Sequence, residues 1–204
     1  MKAEFFNRKK INLDITHRCT LQCKACTRHY LLSSGKKVPG HDMTDYEFDL
    51  VLEKFESFIF CGNVSDPIFH PNFPGFLKKI HDADKHAWVA TSASQRPRAW
   101  YKRAFEANPT ATWVFGIDGL PHQSHMYRIN QDGEHLFEMM LMAKEMGIDA
   151  RWQFIIFSYN EDRLEEAKML AASHDIKMLI TRSGRFPADE PWMEPKGENT
   201  HVRF

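Results

Sequence analysis

Three of the four cysteines in this sequence lie within eight residues, at Cys19, Cys23 and Cys26, and the fourth, Cys61, lies far along the chain. Three thiols on one short loop cannot form an even set of disulfides, and they are one ligand short of a closed structural zinc site. They can hold three irons of a cubane iron–sulfur cluster and leave the fourth iron open to another ligand. The spacing is therefore compatible with an iron–sulfur centre.

The cysteine loop also admits two other interpretations. A zinc ion on the three cysteines could be completed by His17, His29 or Asp14, or the cysteines could simply pack in a core. The residues before the loop, 11–16, alternate apolar and polar side chains, which predicts a β-strand. We therefore expect the loop at the carboxyl end of a strand, the edge where α/β sheets and barrels build active sites.

The composition is typical of one globular domain. The 204 residues are enough for a core without disulfides, and 27 basic residues balance 27 acidic ones, so no overall field attracts nucleic acid or an anionic membrane. No apolar run reaches the ~18 residues of a membrane span, and the N-terminus lacks the apolar core of a signal peptide. With unpaired cysteines, these features predict a cytoplasmic protein without membrane partners.

Strand-like and helix-like segments alternate along the rest of the chain. Strands are predicted at residues 11–16, 58–61, 87–91, 112–117, 150–157 and 177–181, and helices at 45–56, 73–82, 99–106, 133–146 and 161–173. Thr44 and Glu47 have capping-box spacing, and Gly147 is placed to end a helix. The alternation predicts an α/β fold with a parallel six-stranded sheet, two strands short of a closed barrel. We expect a core over residues 1–181 and a tail, 182–204, without regular structure.

The segment 11–26 resembles the first strand and cluster loop of radical S-adenosylmethionine (radical SAM) enzymes. The resemblance extends over about residues 10–181 and implies a partial (β/α)6 TIM barrel. It also implies one 4Fe–4S cluster on Cys19, Cys23 and Cys26, with SAM chelated to the open iron. Reductive cleavage of SAM would then give a 5′-deoxyadenosyl radical that abstracts a hydrogen atom from a substrate. One departure is Ala25, because the family often has an aromatic residue before the last cysteine.

The end of the second predicted strand resembles the family's glycine-rich segment. The resemblance implies that Asp66 contacts the SAM amino group and that Cys61, Gly62 and Asn63 contribute backbone groups. An ordinary Asp-Pro turn is the alternative for Asp66. Cys61 itself is expected to be a small buried residue rather than a metal ligand.

Further candidate contacts follow the next three predicted strands. Thr91 and Ser92 either touch the SAM carboxylate or ribose or cap the next helix. Asp118, in Ile-Asp-Gly, with an arginine ten positions later resembles the sulfatase-maturase and peptide-modifying (SPASM-type) branch. That resemblance assigns the SAM carboxylate to Arg128 and makes Asp118 a candidate catalytic or SAM-binding residue. The alternative for Arg128 is a solvated helix face. Gln153 is polar within an apolar run and is expected to find a partner in SAM.

The resemblance also implies partners. A peptide or protein is the leading substrate, and a flavodoxin or ferredoxin is the expected electron donor. Alternatives are a small-molecule reaction of the 7-deazapurine type, a glycyl-radical activase, and a non-enzymatic structural metal-binding protein. No cysteine follows Cys61, so the sequence resembles the branch's core domain without its C-terminal auxiliary-cluster domain.

Overall fold

Six parallel strands form one sheet in which every strand lies beside its neighbour in sequence. The computed structural model describes residues 9–182, 186 and 193–197. The strands are β1 (Lys10–Asn12), β2 (Ser57–Cys61), β3 (His86–Thr91), β4 (Thr112–Gly116), β5 (Asp149–Ile156) and β6 (Lys177–Arg182). The predicted parallel six-stranded sheet and the α/β partial barrel are thereby confirmed.

Helices alternate with the strands. They are α1 (Thr27–Ser33), α2 (Asp45–Lys54), α3 (Phe73–Asp82), α4 (Arg98–Ala107), α5 (Gly133–Glu145) and α6 (Leu164–Ser173), with short 3₁₀ turns at Pro67–Phe69, Pro121–Met126 and Glu161–Arg163. Helix α1 has no counterpart in the sequence prediction, and β1 is shorter than predicted. Within the residues described, no helix has the length and apolar character needed to cross a bilayer.

Local signals explain two of the helix boundaries. The Thr44 hydroxyl accepts a hydrogen bond from the Glu47 amide at 3.2 Å, and the Glu47 carboxylate accepts one from the Thr44 amide at 2.7 Å. This confirms the predicted capping box at the start of α2. Gly147, just after α5, has φ +79°, a conformation that glycine adopts at little cost. It confirms the predicted end of that helix.

The core between the sheet and helices α3 and α4 is strongly aromatic. Trp113 of β4 is fully buried, and its ring lies 5.0 Å from Phe105, 6.3 Å from Phe73 and 6.5 Å from Tyr101, measured between centroids. Burying an aromatic side chain of this size contributes about 1.5–3 kcal/mol or more. This core fixes β3, β4 and their helices, and so fixes the strand ends that bear the site.

Part of the predicted tail packs on the barrel. Met193 is fully buried against Tyr127 and Phe157, and its carbonyl accepts a hydrogen bond from the Ser158 amide at 3.0 Å. Strand β6 extends to Arg182, one residue past the predicted boundary. The prediction that the tail lacks regular structure falls mostly on positions outside the described residues.

Candidate active site

The three clustered cysteines lie on the loop between β1 and α1 and line one cavity of about 230 Å³. The other lining residues come mainly from the loops at the carboxyl ends of the strands. Cys26 is the N-cap residue of α1, and its amide donates a hydrogen bond to the Cys23 carbonyl at 3.0 Å. The chain therefore turns sharply between the last two cysteines, which brings them to the cavity that Cys19 also lines.

This arrangement fits a cubane cluster. Each cysteine ligand of such a cluster binds a different iron, so the thiols need not meet at one point. In the described part of the chain, no three His, Cys, Asp or Glu side chains are grouped closely enough to hold a single metal ion. Asp14, one of the candidate zinc ligands, instead accepts hydrogen bonds from the amides of Asn63 and Val64 at 3.0 and 3.2 Å. The three thiols thus fit an iron–sulfur cluster that leaves one iron open.

The protonation of the thiols follows from their burial. Burial raises the pKa of Cys19 to about 12 and also raises the pKa of Cys23, although the charge of Arg128 lowers the latter. Because iron binds the thiolate, a cluster bound here would displace protons from these thiols. Arg28 and Arg128 line the same cavity and offer positive charge to the anionic centre that results.

A tight turn follows β2 and brings Cys61, Gly62 and Asn63 to the cavity wall. Gly62 permits the turn, because a Cβ at this position would collide with the Ser65 carbonyl. Asp14 closes the turn through its hydrogen bonds to the amides of residues 63 and 64 and to the Ser65 hydroxyl. Cys61 is exposed, so the expectation that it is a small buried residue was wrong.

Asp66 is buried beside the cavity, where its carboxylate connects two strand ends. It accepts hydrogen bonds from the amides of Ser92 and Ala93 at 2.9 and 3.0 Å and from the Thr91 hydroxyl at 2.9 Å. It also accepts one from the Ile68 amide at 3.2 Å and so caps the 3₁₀ turn. Burial raises the pKa of Asp66, and these hydrogen bonds act in the opposite direction. Asp66 thus begins the Asp-Pro turn and also lines the cavity.

The two hydroxyl residues after β3 have different surroundings. Ser92 lines the cavity, whereas Thr91 is not among the lining residues and directs its hydroxyl to Asp66. Neither caps the next helix, because α4 begins after Pro97 and has no side-chain cap. The capping alternative is therefore wrong.

Arg128 and Asp118 form a buried ion pair at the cavity. Arg128 Nε lies 2.7 Å from Asp118 Oδ2, and the aspartate side chain has no exposed surface. The Ile155 amide donates to Asp118 Oδ1 at 2.9 Å. Arg128 lines the cavity but Asp118 does not. Asp132 caps α5 through the His135 amide, so the alternative of a solvated helix face for Arg128 is wrong.

Gly116, at the end of β4, leaves space for the Arg128 side chain. This role of Gly116 was not predicted from the sequence. A Cβ on Gly116 would collide with Ser92 Oγ and would lie 3.0 Å from a terminal nitrogen of Arg128. The Gln131 side-chain amide donates to the Gly116 carbonyl at 2.8 Å and also to the Ser92 carbonyl. A glycine inside a fully buried strand was the available signal, since it marks a close approach of other groups.

A second set of long-range hydrogen bonds holds the cysteine loop against the loop that carries Arg128. The Gln22 amide donates to the Ile129 carbonyl at 3.1 Å, and the Asn130 side chain donates to the Thr20 carbonyl at 3.1 Å. The Thr20 hydroxyl donates to Gln95 at 2.7 Å. The cysteines and the arginine are therefore positioned relative to one another by direct contacts.

The remaining cavity residues come from β5 and from the aromatic cluster beside it. Gln153 and Ile155 line the cavity, as does Tyr127. Ala25 packs against the cluster formed by Tyr127, Phe157 and Met193. An aromatic side chain therefore borders the cavity close to Ala25, although the cysteine loop has none at that position.

The partial barrel is the fold of solved radical SAM enzymes. SuiB from Streptococcus suis, bound to S-adenosylmethionine, superposes with a TM-score of 0.70 at 12% identity over 94% of this chain and 44% of that one. The enzyme anSMEcpe with bound AdoMet gives 0.65 at 14% identity over 85% of this chain and 50% of that one. Methylornithine synthase (PylB) gives 0.61 at 11% identity over 92% and 58%.

At these low identities, the superpositions show a shared fold alone. The chain spans about half the length of the three proteins. SuiB has also been solved with the precursor peptide SuiA, and anSMEcpe with the Cp18Cys peptide. No family model and no curated protein matches the sequence.

Proposed function

We propose that this chain is a radical SAM enzyme. One observation carries the proposal: three cysteines with cluster spacing and a buried arginine line a single cavity at the carboxyl edge of a partial barrel. The solved structures of this fold that hold AdoMet support it. When bound, the cluster and SAM would supply the difficult chemistry, which is one-electron cleavage of the S–C5′ bond to methionine and a 5′-deoxyadenosyl radical able to abstract a hydrogen atom from the substrate.

The residues of this chain bind and orient the cluster and SAM. Cys19, Cys23 and Cys26 would hold three irons of the cluster and leave the fourth for the amino and carboxylate groups of SAM. Arg128 offers a planar guanidinium to the carboxylate, a geometry suited to two parallel hydrogen bonds. Asp118 does not border the cavity, so we assign it to positioning Arg128 rather than to contact with substrate.

The amino group of SAM is positively charged and needs hydrogen-bond acceptors. The backbone at Cys61, Gly62 and Asn63 borders the cavity, and Asp66 anchors this segment to the end of β3. Ser92 and Gln153 also border the cavity, and we assign them to the polar groups of the ribose. Thr91 acts through Asp66, because its hydroxyl is already donated there.

A peptide or protein is our leading substrate class. The support is that SuiB and anSMEcpe, which share this fold, have been solved with peptides bound. Methylornithine synthase shares the fold at a TM-score of 0.61 and supports a small-molecule substrate as the second candidate. A flavodoxin or ferredoxin is the proposed electron donor.

Anaerobic reconstitution tests the class. The protein should bind about four irons per chain and, with dithionite, slowly convert SAM to 5′-deoxyadenosine and methionine, because cleavage needs only the reduced cluster and bound SAM. Cys23→Ala should abolish both results. Cys61→Ala is the matched control and should retain the iron. Products of methyl transfer without 5′-deoxyadenosine, or iron that depends on Cys61 and not on Cys23, would contradict the proposal.

A further inference from the structure

The charges of the chain are unevenly distributed around the cysteine loop. The whole sequence has 27 basic and 27 acidic residues, yet residues 15–41 contain five Lys or Arg and no Asp or Glu. This segment comprises the cysteine loop, α1 and the loop that follows. Its five cations are Arg18, Lys24, Arg28, Lys36 and Lys37. A neutral protein thus has a basic region around its proposed cluster.

Helix α1 displays this region to solvent. None of its seven residues is buried, and Tyr30 and Leu32 are 63% and 52% exposed. Lys36 and Lys37 follow the helix and are exposed, with the Lys36 ammonium 5.9 Å from the centroid of the Tyr30 ring. We call Tyr30, Lys36 and Lys37 the α1 surface; Leu32, two positions after Tyr30 on the helix, points to a different side. An exposed tyrosine beside two lysines is typical of a site that binds a protein.

The acidic residues that follow this segment, at 42, 45, 47 and 49, pair with groups outside the α1 surface. Asp42 pairs with Arg18, and on α2 both Asp45 and Asp49 pair with Lys79. Glu47 hydrogen-bonds to the capping residue and to a histidine of its own loop. These four carboxylates therefore have partners other than Lys36 and Lys37 of the α1 surface.

The surface lies close to the cluster loop but apart from the cavity. The Tyr30 amide donates to the Cys26 carbonyl at 3.1 Å, so the exposed ring is one helical turn from a proposed cluster ligand. None of the three α1-surface residues lines the cavity. A molecule on this surface would approach the cluster without blocking the space for SAM and substrate.

We propose that the α1 surface is the docking site of a small acidic one-electron carrier protein. The inference rests on the proposed function, which requires one electron for each SAM cleaved. An acidic carrier matches the lysines, and Tyr30 provides the apolar contact that a protein partner uses and that a bare polyanion does not. Electrons then enter through the loop that begins α1, and substrate enters through the cavity.

Stopped-flow reduction of the reconstituted cluster tests this, with pre-reduced flavodoxin as the probe. Lys36→Glu/Lys37→Glu should lower the second-order rate constant on the order of tenfold or more at low ionic strength, and the difference should shrink at physiological salt. The matched control is Lys102→Glu/Arg103→Glu, which makes the same charge change on exposed residues of α4. The control should remain within about twofold of wild type.

A second pair of variants tests the apolar contact made by the α1 surface. Tyr30→Ser should weaken flavodoxin binding measured by calorimetry, whereas Met169→Ser, which truncates a 67% exposed residue of α6, should not. Dithionite should reduce all variants at the wild-type rate, with unchanged iron content. Equal flavodoxin rates in wild type and in both charge variants would overturn the inference. So would tighter binding of a single-stranded RNA than of flavodoxin.

These experiments distinguish a failure of the proposed function from a failure of the docking inference. If wild-type protein with dithionite yields no 5′-deoxyadenosine, the proposed function fails whatever the variants do. If it cleaves SAM and the Lys36→Glu/Lys37→Glu variant still accepts electrons from flavodoxin at the wild-type rate, only the docking inference fails.

Discussion

Two aspartate–arginine pairs lie at opposite edges of the same sheet and differ in their surroundings. At the amino-terminal edge, Arg151 contacts Asp149 through two nitrogens, with Nη2 2.6 Å from Oδ2 and Nε 3.1 Å from Oδ1. Thr112 adds a third hydrogen bond to this carboxylate, which is 47% exposed. At the carboxyl edge, Asp118 is fully buried and Arg128 is 12% exposed.

The two pairs respond oppositely to their environments. The hydrogen bond from Arg151 lowers the pKa of Asp149, whereas burial raises the pKa of Asp118 even though Arg128 opposes that shift. Arg128 Nε and Asp118 Oδ2 are 2.7 Å apart, yet neither has a well-aligned hydrogen bond among the described residues. In the exposed pair, Arg151 donates hydrogen bonds to both carboxylate oxygens of Asp149. The buried pair leaves a guanidinium at a cavity, which is the arrangement expected of a site that binds an anion.

The largest effect that tests this comparison is on stability. Asp118→Asn should cost about 3–5 kcal/mol in the free energy of unfolding, because it leaves the Arg128 charge buried without its counter-ion. Asp149→Asn should cost less than about 1 kcal/mol, because its pair is exposed. Urea unfolding of matched preparations at pH 7 measures both values.

A double variant separates charge from packing. Asp118→Asn/Arg128→Met removes both charges and should recover most of the lost stability, since a buried ion pair replaced by neutral groups is often close to neutral overall. Equal losses for Asp118→Asn and Asp149→Asn would mean that the two pairs do not differ as described.

The next effect is on ligand affinity. Arg128→Ala should weaken SAM binding on the order of ten- to a hundredfold, since a hydrogen bond to a charged group contributes about 1.5–3 kcal/mol. Arg128→Lys should fall between wild type and Ala, because it keeps the charge and loses the planar fork. Arg151→Ala removes the arginine of the other pair and should leave SAM affinity unchanged. Anaerobic titrations of protein with equal iron content decide this. Equal dissociation constants for Arg128→Ala and wild type would place the SAM carboxylate elsewhere.

The fold was predictable because its signals are local. The strands around Val89, Val114 and Phe154 are apolar runs bounded by turn residues, and Thr44 and Gly147 mark helix ends within a few residues of sequence. Helix α1 was not predicted, because it is short, its N-cap residue Cys26 makes no side-chain cap, and none of its residues is buried. Without an apolar face it has no periodic signal.

The candidate site was predictable only at its cysteines and, by resemblance, at individual strand ends. The hydrogen bond from Thr91 to Asp66 joins residues 25 positions apart, and the contact of Gly116 with Arg128 depends on how two loops meet. Such contacts are set by the tertiary structure and leave no spacing in the sequence. The pairing of Arg128 with Asp118 rather than with Asp132 is also a contact set by the tertiary structure.

The smallest expected effect concerns a third buried group, His70, which extends the comparison from pairs to a single residue. One ring nitrogen of His70 contacts the Met43 carbonyl at 2.9 Å, and the other accepts a hydrogen bond from the Asn72 amide at 3.2 Å. The neutral tautomer with a proton on Nε2 satisfies both contacts, and protonation of Nδ1 would break the second. Burial lowers the pKa of His70, as it disfavours the charged form of Asp118.

This shift makes stability depend on pH with a definite sign. Above the ordinary histidine pKa of about 6.5, neither the folded nor the unfolded state binds the proton, and the contribution of His70 is fully present. As the pH falls below that value, the unfolded chain binds a proton that the folded protein does not, so the free energy of unfolding decreases until the lower folded pKa is passed. One such proton contributes a slope of at most about 1.4 kcal/mol per pH unit. His70→Gln should therefore flatten the pH dependence of urea unfolding between about pH 7.5 and 5.5, while His122→Gln, at an exposed position, should leave the wild-type slope. If His70→Gln and wild type lose stability in parallel over this range, burial does not control the charge of His70.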